Sequence, residues 1–116
     1  MSWAVVTGAS RGIGAAIVND LLKNYPSLSI LAISRNIENS TTPSPSNVTN
    51  MNADVSCQEG RQKIVDFMSG KQLLYLFNNA GIIDNTSWDA LDEATFDSLQ
   101  ATNVKGPLFL TNALTF

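Results

Sequence analysis

Short apolar runs take turns with helical stripes along this chain. Residues 3–7 (WAVVT) form an apolar run without helical period, which predicts a buried strand. Over residues 12–24, Ile13, Ile17 and Leu21 recur every four positions, with Val18 and Leu22 beside them. That spacing predicts a helix with one wide apolar stripe facing a core, and Pro26 stops it. Residues 28–34 (LSILAIS) predict a second strand and 48–55 a third. Between them, 36–47 is polar and holds Pro43 and Pro45, so it reads as a surface loop. Ser56-Cys57-Gln58-Glu59 has the form of a capping box, in which Ser and Glu side chains satisfy free N–H groups at a helix start. The helix it opens carries Ile64, Phe67 and Met68 inward, and Gly70 ends it. Residues 73–77 (LLYLF) predict a fourth buried strand, and 78–88 a loop. Asp92 is placed to cap a helix that points Phe96 and Leu99 inward. A last helix is expected to start near Asn103, with Pro107 in its first turn, where a missing N–H does little harm. Strands separated by helices imply parallel pairing through right-handed crossovers, hence an open α/β sheet. No internal repeat and no second domain is visible.

Composition narrows the functions open to such a sheet. The 116 residues carry a net charge of −3 and no basic run, which argues against nucleic acid or anionic membrane as partner. No stretch nears the roughly 18 apolar residues that span a bilayer. Met1 and Ser2 lead straight into the first apolar run, so no secretory signal is expected and a cytoplasmic location fits. The Asn-x-Ser/Thr triplets at Asn39, Asn47 and Asn85 then read as chance matches. Cys57 is the lone cysteine and histidine is absent. That removes an internal disulfide, every Ser-His or Cys-His nucleophile pair, and the usual zinc ligand sets.

The candidate chemistry lies between the first strand and the first helix, in Thr7-Gly8-Ala9-Ser10-Arg11-Gly12-Ile13-Gly14. A dinucleotide site needs one glycine for a tight turn, one for approach to a pyrophosphate, and one for helix-on-strand packing. The helix start then offers free N–H groups and a positive dipole end to the phosphates. A nucleoside-triphosphate loop is set aside because Gly12 is followed by Ile and Gly, not by Lys and Ser/Thr. A methyltransferase would want an acidic residue at the second strand's end. The residue that reads the ribose is expected roughly 20 positions past the motif, near Ser34 and Arg35. An acid there would bind the free 2′-hydroxyl of NAD. Here Arg35 follows the strand and Arg11 lies in the glycine loop, so two guanidinium groups could converge on a 2′-phosphate. This points to NADP(H) rather than NAD(H). The competing reading is an ordinary strand-to-helix turn with two unrelated solvated arginines.

Four motifs in order resemble the short-chain dehydrogenase/reductase family: TGASRGIG at 7–14, Asp54-Val55, Asn78-Asn79-Ala80-Gly81, and Asn103-Val104-Lys105-Gly106. The resemblance spans the whole chain. It implies a Rossmann-type, doubly wound parallel sheet, truncated after about four strands, with residues 1–116 an incomplete NAD(P)-binding domain. It implies that Gly8, Gly12 and Gly14 form the pyrophosphate turn, with Ser10 and Ile13 adding hydroxyl or backbone contacts. Asp54 is implied to accept a hydrogen bond from the adenine amino group, and Val55 to lay its backbone against the ring. Asn79 is implied to tie neighbouring strands together, and Ala80 and Gly81 to let the cofactor ribose approach. Asn103 resembles the family's active-site Asn, which holds a water in a proton relay.

The sequence departs from the family where catalysis is concerned. The family moves hydride between nicotinamide and a carbonyl or alcohol carbon, using a Ser and a Tyr-x-x-x-Lys pair. Tyr25 is followed four residues on by Ser29, and Tyr75 by Asn79, so neither pair qualifies. Three readings follow. The chain is a fragment of an NADP-dependent oxidoreductase acting on a small carbonyl or alcohol, a homo-oligomer if full length. Or it is a stand-alone nucleotide-binding or regulatory module. Or it is one part of a split enzyme. In each, the fourth strand is expected to leave an open apolar edge, and the last helix to expose some of Leu108, Phe109, Leu110, Leu114 and Phe116.

Overall fold

A computed structural model of the protein describes residues 1–36 and 45–115. Most of the polar stretch 36–47, the Asn39 triplet and Phe116 lie outside the described residues. In chain order the elements are β1 (Ser2–Thr7), α1 (Gly12–Asn24), β2 (Ser29–Ser34), β3 (Val48–Asn52), α2 (Gln58–Met68) and β4 (Gln72–Phe77). A 3-10 turn (Trp88–Ala90), α3 (Glu93–Gln100), a π-helical turn (Ala101–Lys105) and α4 (Gly106–Thr115) follow. The strands form one sheet in the order β3-β2-β1-β4, and every pairing is parallel. This is a Rossmann-like α/β fold.

The period of two along β1 and β2 explains the layering. Ala4 and Val6 of β1, with Ile30 and Ala32 of β2, pack against Val18 and Leu21 of α1. Val5, Leu31 and Ile33 point to the other face, against Ile64 and Met68 of α2 and Leu110 of α4. Both faces are therefore covered, which is why β1 and β2 read as unbroken apolar runs and not as alternation. Trp3 completes the second face edge-on to Phe67, with ring centroids 5.3 Å apart.

Several expectations are corrected. Ile13 does not face the core; it is 73% exposed at the start of α1, while Val18 and Leu21 carry the buried stripe. The capping box does not form. Cys57 occupies the N-cap without a side-chain bond to the helix start, and the Ser56 hydroxyl is bound instead to Asp54 Oδ1 at 2.7 Å. β3 stops at Asn52, three residues short of Val55, where the chain bends toward α2. Asp92 does cap α3, accepting from the Thr95 N–H at 2.7 Å. Phe96, however, is exposed, and no residue of α3 is buried. The last helix does not begin at Asn103. Helical backbone runs from Glu93 to Thr115, and Asn103 lies inside the π turn, where the Gly106 N–H reaches back five residues to the Ala101 carbonyl. Pro107 fits there because the widened turn has already broken the regular ladder.

Candidate functional site

β1 sits at the point where the sheet order reverses. The next strand in sequence, β2, lies on one side of it, and β4 lies on the other. At such a switch point the loops leaving adjacent strands part and open a crevice beyond the strands' carboxyl ends. The cleft is there, about 460 Å³ in volume, and segments following all four strands line it.

The floor is the turn after β1. Gly8 and Gly12 adopt φ of 64° and 59°, left-handed backbone that other residues enter only with strain. A Cβ on Gly12 would meet nothing within 4 Å, so the backbone there faces open space, whereas one on Gly8 would lie 2.9 Å from the Ala80 Cα. Gly14 has a different role. A Cβ there would lie 2.0 Å from the Gly8 carbonyl oxygen, so its lack of a side chain lets α1 start directly against the turn. Gly14 is buried and does not line the cleft. The N-cap of α1, Arg11, makes no side-chain cap bond, and the first turn holds no acidic residue. The positive end of the helix is thus left to whatever anion enters.

The turn is fixed from behind. Thr7 is buried, and its Oγ1 accepts the backbone N–H groups of Asn79 (3.0 Å) and Ala80 (2.9 Å) while donating to the Phe77 carbonyl (3.3 Å). Asn79 Nδ2 in turn donates to the Gly8 carbonyl at 3.1 Å. The ends of β1 and β4 are therefore knotted together with the buried polar groups satisfied. Sequence reasoning missed Thr7 as a site residue. Its hydroxyl gains meaning only once β4 is known to lie beside β1.

The far wall comes from β2 and β3. Arg11 and Arg35, both exposed, line the same cleft. Asp54 lines it too, and its Oδ1 accepts from Ser56 N (2.9 Å) and Ser56 Oγ (2.7 Å). Burial by itself pushes the Asp54 carboxyl up. The two Ser56 hydrogen bonds and the nearby Arg35 charge outweigh that and hold it below the usual carboxylate range. Val55 beside it is buried, with its carbonyl accepting from Arg61 Nη1 at 2.9 Å. Ser10, Ile13, Ala80 and Gly81 complete the lining named from sequence. Ile33, Ala53, Ile82 and Thr102 also line the cleft and went unnamed, since nothing but tertiary placement marks them.

Asn103 stands apart from the lining. Its side chain is engaged twice with the backbone of Ile82: Oδ1 accepts from the N–H and Nδ2 donates to the carbonyl, each at 2.8 Å. The π turn and the segment after β4 are thereby joined. Pro107 has no N–H to return to the Asn103 carbonyl four residues before it. Tyr25 and Tyr75 line no part of the cleft; their ring centroids lie 6.5 Å apart. Among the described residues, no three His, Cys, Asp or Glu side chains group to hold a metal. No helix among them is long and apolar enough to cross a membrane.

A family model described as short chain dehydrogenase matches residues 2–115. The chain belongs to the short-chain dehydrogenase family. It is 32% identical to L-xylo-3-hexulose reductase of Hypocrea jecorina over 138 aligned positions, covering 96% of this chain and 45% of that protein. A short-chain dehydrogenase/reductase from Burkholderia vietnamiensis superposes with a TM-score of 0.74 at 30% identity, covering 98% of this chain and 57% of that one. An NADPH-bound carbonyl reductase from chicken fatty liver gives a TM-score of 0.78 at 24% identity, over 97% and 49% of the two chains. The chain spans less than half the length of the curated relatives it matches. The family is one of oxidoreductases.

Proposed function

We propose that this chain binds NADP(H) in the cleft and serves as the dinucleotide-binding portion of an oxidoreductase that moves hydride between NADP(H) and a small carbonyl or alcohol substrate. One observation carries the cofactor choice: Arg11 and Arg35, 24 positions apart in sequence, line one cleft together with the glycine turn. At 24% identity, the likeness to the NADPH-bound carbonyl reductase speaks for the fold and not for the cofactor, so the reading rests on the local charge.

The residues fit the group. Gly8 and Gly12 would let the pyrophosphate reach the backbone, and the uncapped start of α1 would supply N–H donors to it. Ser10 and Ile13, at the mouth of the turn, would add a hydroxyl and backbone contacts. Arg11 and Arg35 would take the 2′-phosphate with paired, charge-assisted hydrogen bonds. An ionised Asp54 would accept from the adenine amino group, and Val55 would lie against the ring. Asn79 holds the turn in shape, and Ala80 and Gly81 leave room for the second ribose. When bound, the dinucleotide supplies or takes the hydride. Asn103, its side chain committed to Ile82, would hold a water at its main-chain carbonyl, which Pro107 cannot bond.

Arg35→Asp tests this reading. A hydrogen bond to a charged group contributes about 1.5–3 kcal/mol, so NADPH affinity should fall by about 10–150-fold, with added repulsion on top. NADH, with no phosphate there, should change far less. Equal losses for both, measured by calorimetric titration, contradict the assignment.

A further inference from the structure

We infer that Ser56 is a positioning residue that sets the Asp54 carboxylate for discrimination of the purine base; this rests on the cofactor reading above. Three observations converge on it. Both Ser56 donors, the backbone N–H at 2.9 Å and the hydroxyl at 2.7 Å, land on the same oxygen, Asp54 Oδ1. The Asp54 main chain cannot adjust. Its carbonyl oxygen accepts the Cys57 N–H at 3.4 Å, and α2 packs so closely that a Cβ on Gly60 would lie 1.9 Å from it. Asp54 lines the cleft while Ser56 does not. The remaining freedom is rotation of the carboxyl group, a broad torsion when nothing holds it. Two donors on Oδ1 remove that freedom and leave Oδ2 to face a ligand.

A fixed acceptor reads a base edge better than a rotating one, because no ordering is left to occur on binding. A purine with an exocyclic amino group gives Oδ2 the N–H it needs. A purine with a carbonyl at that position sets oxygen against carboxylate, and is rejected as an unpaired polar contact. Ser56 touches neither base, so its effect is on selectivity. Sequence reading assigned this hydroxyl to a helix cap; the structure gives it to Asp54.

The test compares the 116-residue chain's affinity for NADPH with that for the same dinucleotide carrying hypoxanthine in place of adenine. The wild type should prefer the adenine form by about tenfold or more. Ser56→Ala removes one of the two donors, and the preference should shrink about fivefold. Ser56→Thr keeps the hydroxyl and should keep the preference. Ser56→Gly, which also lacks the hydroxyl, gives the same comparison if Ser56→Ala does not fold. A merely structural role would weaken both ligands equally; an unchanged ratio in the hydroxyl-free variant overturns the inference. So does a wild type that binds both forms alike. A folded wild type that binds neither overturns the cofactor reading itself.

Discussion

At the scale of single residues, the site is held by a few polar atoms. Thr7 is the clearest. Its hydroxyl accepts two backbone N–H groups: that of Asn79, which also donates to the Phe77 carbonyl at 2.9 Å, and that of Ala80, for which it is the acceptor. Thr7→Val keeps the shape and deletes the acceptor. The Ala80 N–H is then orphaned, which costs about 1–3 kcal/mol, so urea unfolding should show a loss of that size, with Thr7→Ser close to wild type. A Thr7→Val protein as stable as the parent would show that the knot contributes nothing. Residues whose chemistry is backbone geometry were legible in the sequence: glycine at 8 and 12 is what positive φ demands, and glycine at 14 is what helix contact demands. Residues whose role depends on a partner distant in sequence were not. Thr7 needs β4 beside it, and Ser56 looked like a cap because a capping box and an Asp-x-Ser turn share the same hydroxyl.

At the scale of elements, alternation of strand and helix was legible because each buried run is short and each stripe periodic. α1 falls on residues 12–24, as the spacing of Ile17, Val18 and Leu21 requires. The carboxy-terminal helical stretch was not legible. Asn103-x-x-Gly106-Pro107 has the look of a helix start, yet the chain passes through it in a π turn without leaving helical geometry. What anchors that turn is the Asn103 amide on Ile82, a contact between residues 21 apart. Asn103→Ala should therefore speed hydrogen exchange at the Ile82 amide, while amides inside α1 keep their protection. Unchanged exchange at Ile82 would mean that the segment after β4 is held by something else.

At the scale of the whole molecule, the sheet is covered on both faces at β1 and β2, whereas β4, expected to be buried, has no buried residue. Among the described residues β4 pairs with β1 alone, and its outer positions stay open, with Leu74 51% exposed. The exposure predicted for α4 falls on Leu108 (60%) and Phe109, whereas Leu110 is buried against the sheet. An apolar, unpaired edge is a template for pairing with another strand. Sedimentation of the 116-residue chain should thus show concentration-dependent self-association. Leu74→Lys should move it toward monomer by placing a charge on that edge. A chain that stays monomeric at every concentration, or a variant that associates as the parent does, would show that the edge is protected in a way the strand order does not reveal.

The central claim joins these scales: a glycine turn, an open helix start and two arginines make one cleft fit for a dinucleotide bearing a 2′-phosphate. Calorimetric titration of the wild-type chain with NADPH and with NADH tests it most directly. Saturable 1:1 binding is expected for both, with NADPH tighter by about 10–150-fold, the value of a charge-assisted contact. A folded chain that binds NADH as tightly as NADPH, or that binds neither, contradicts the account.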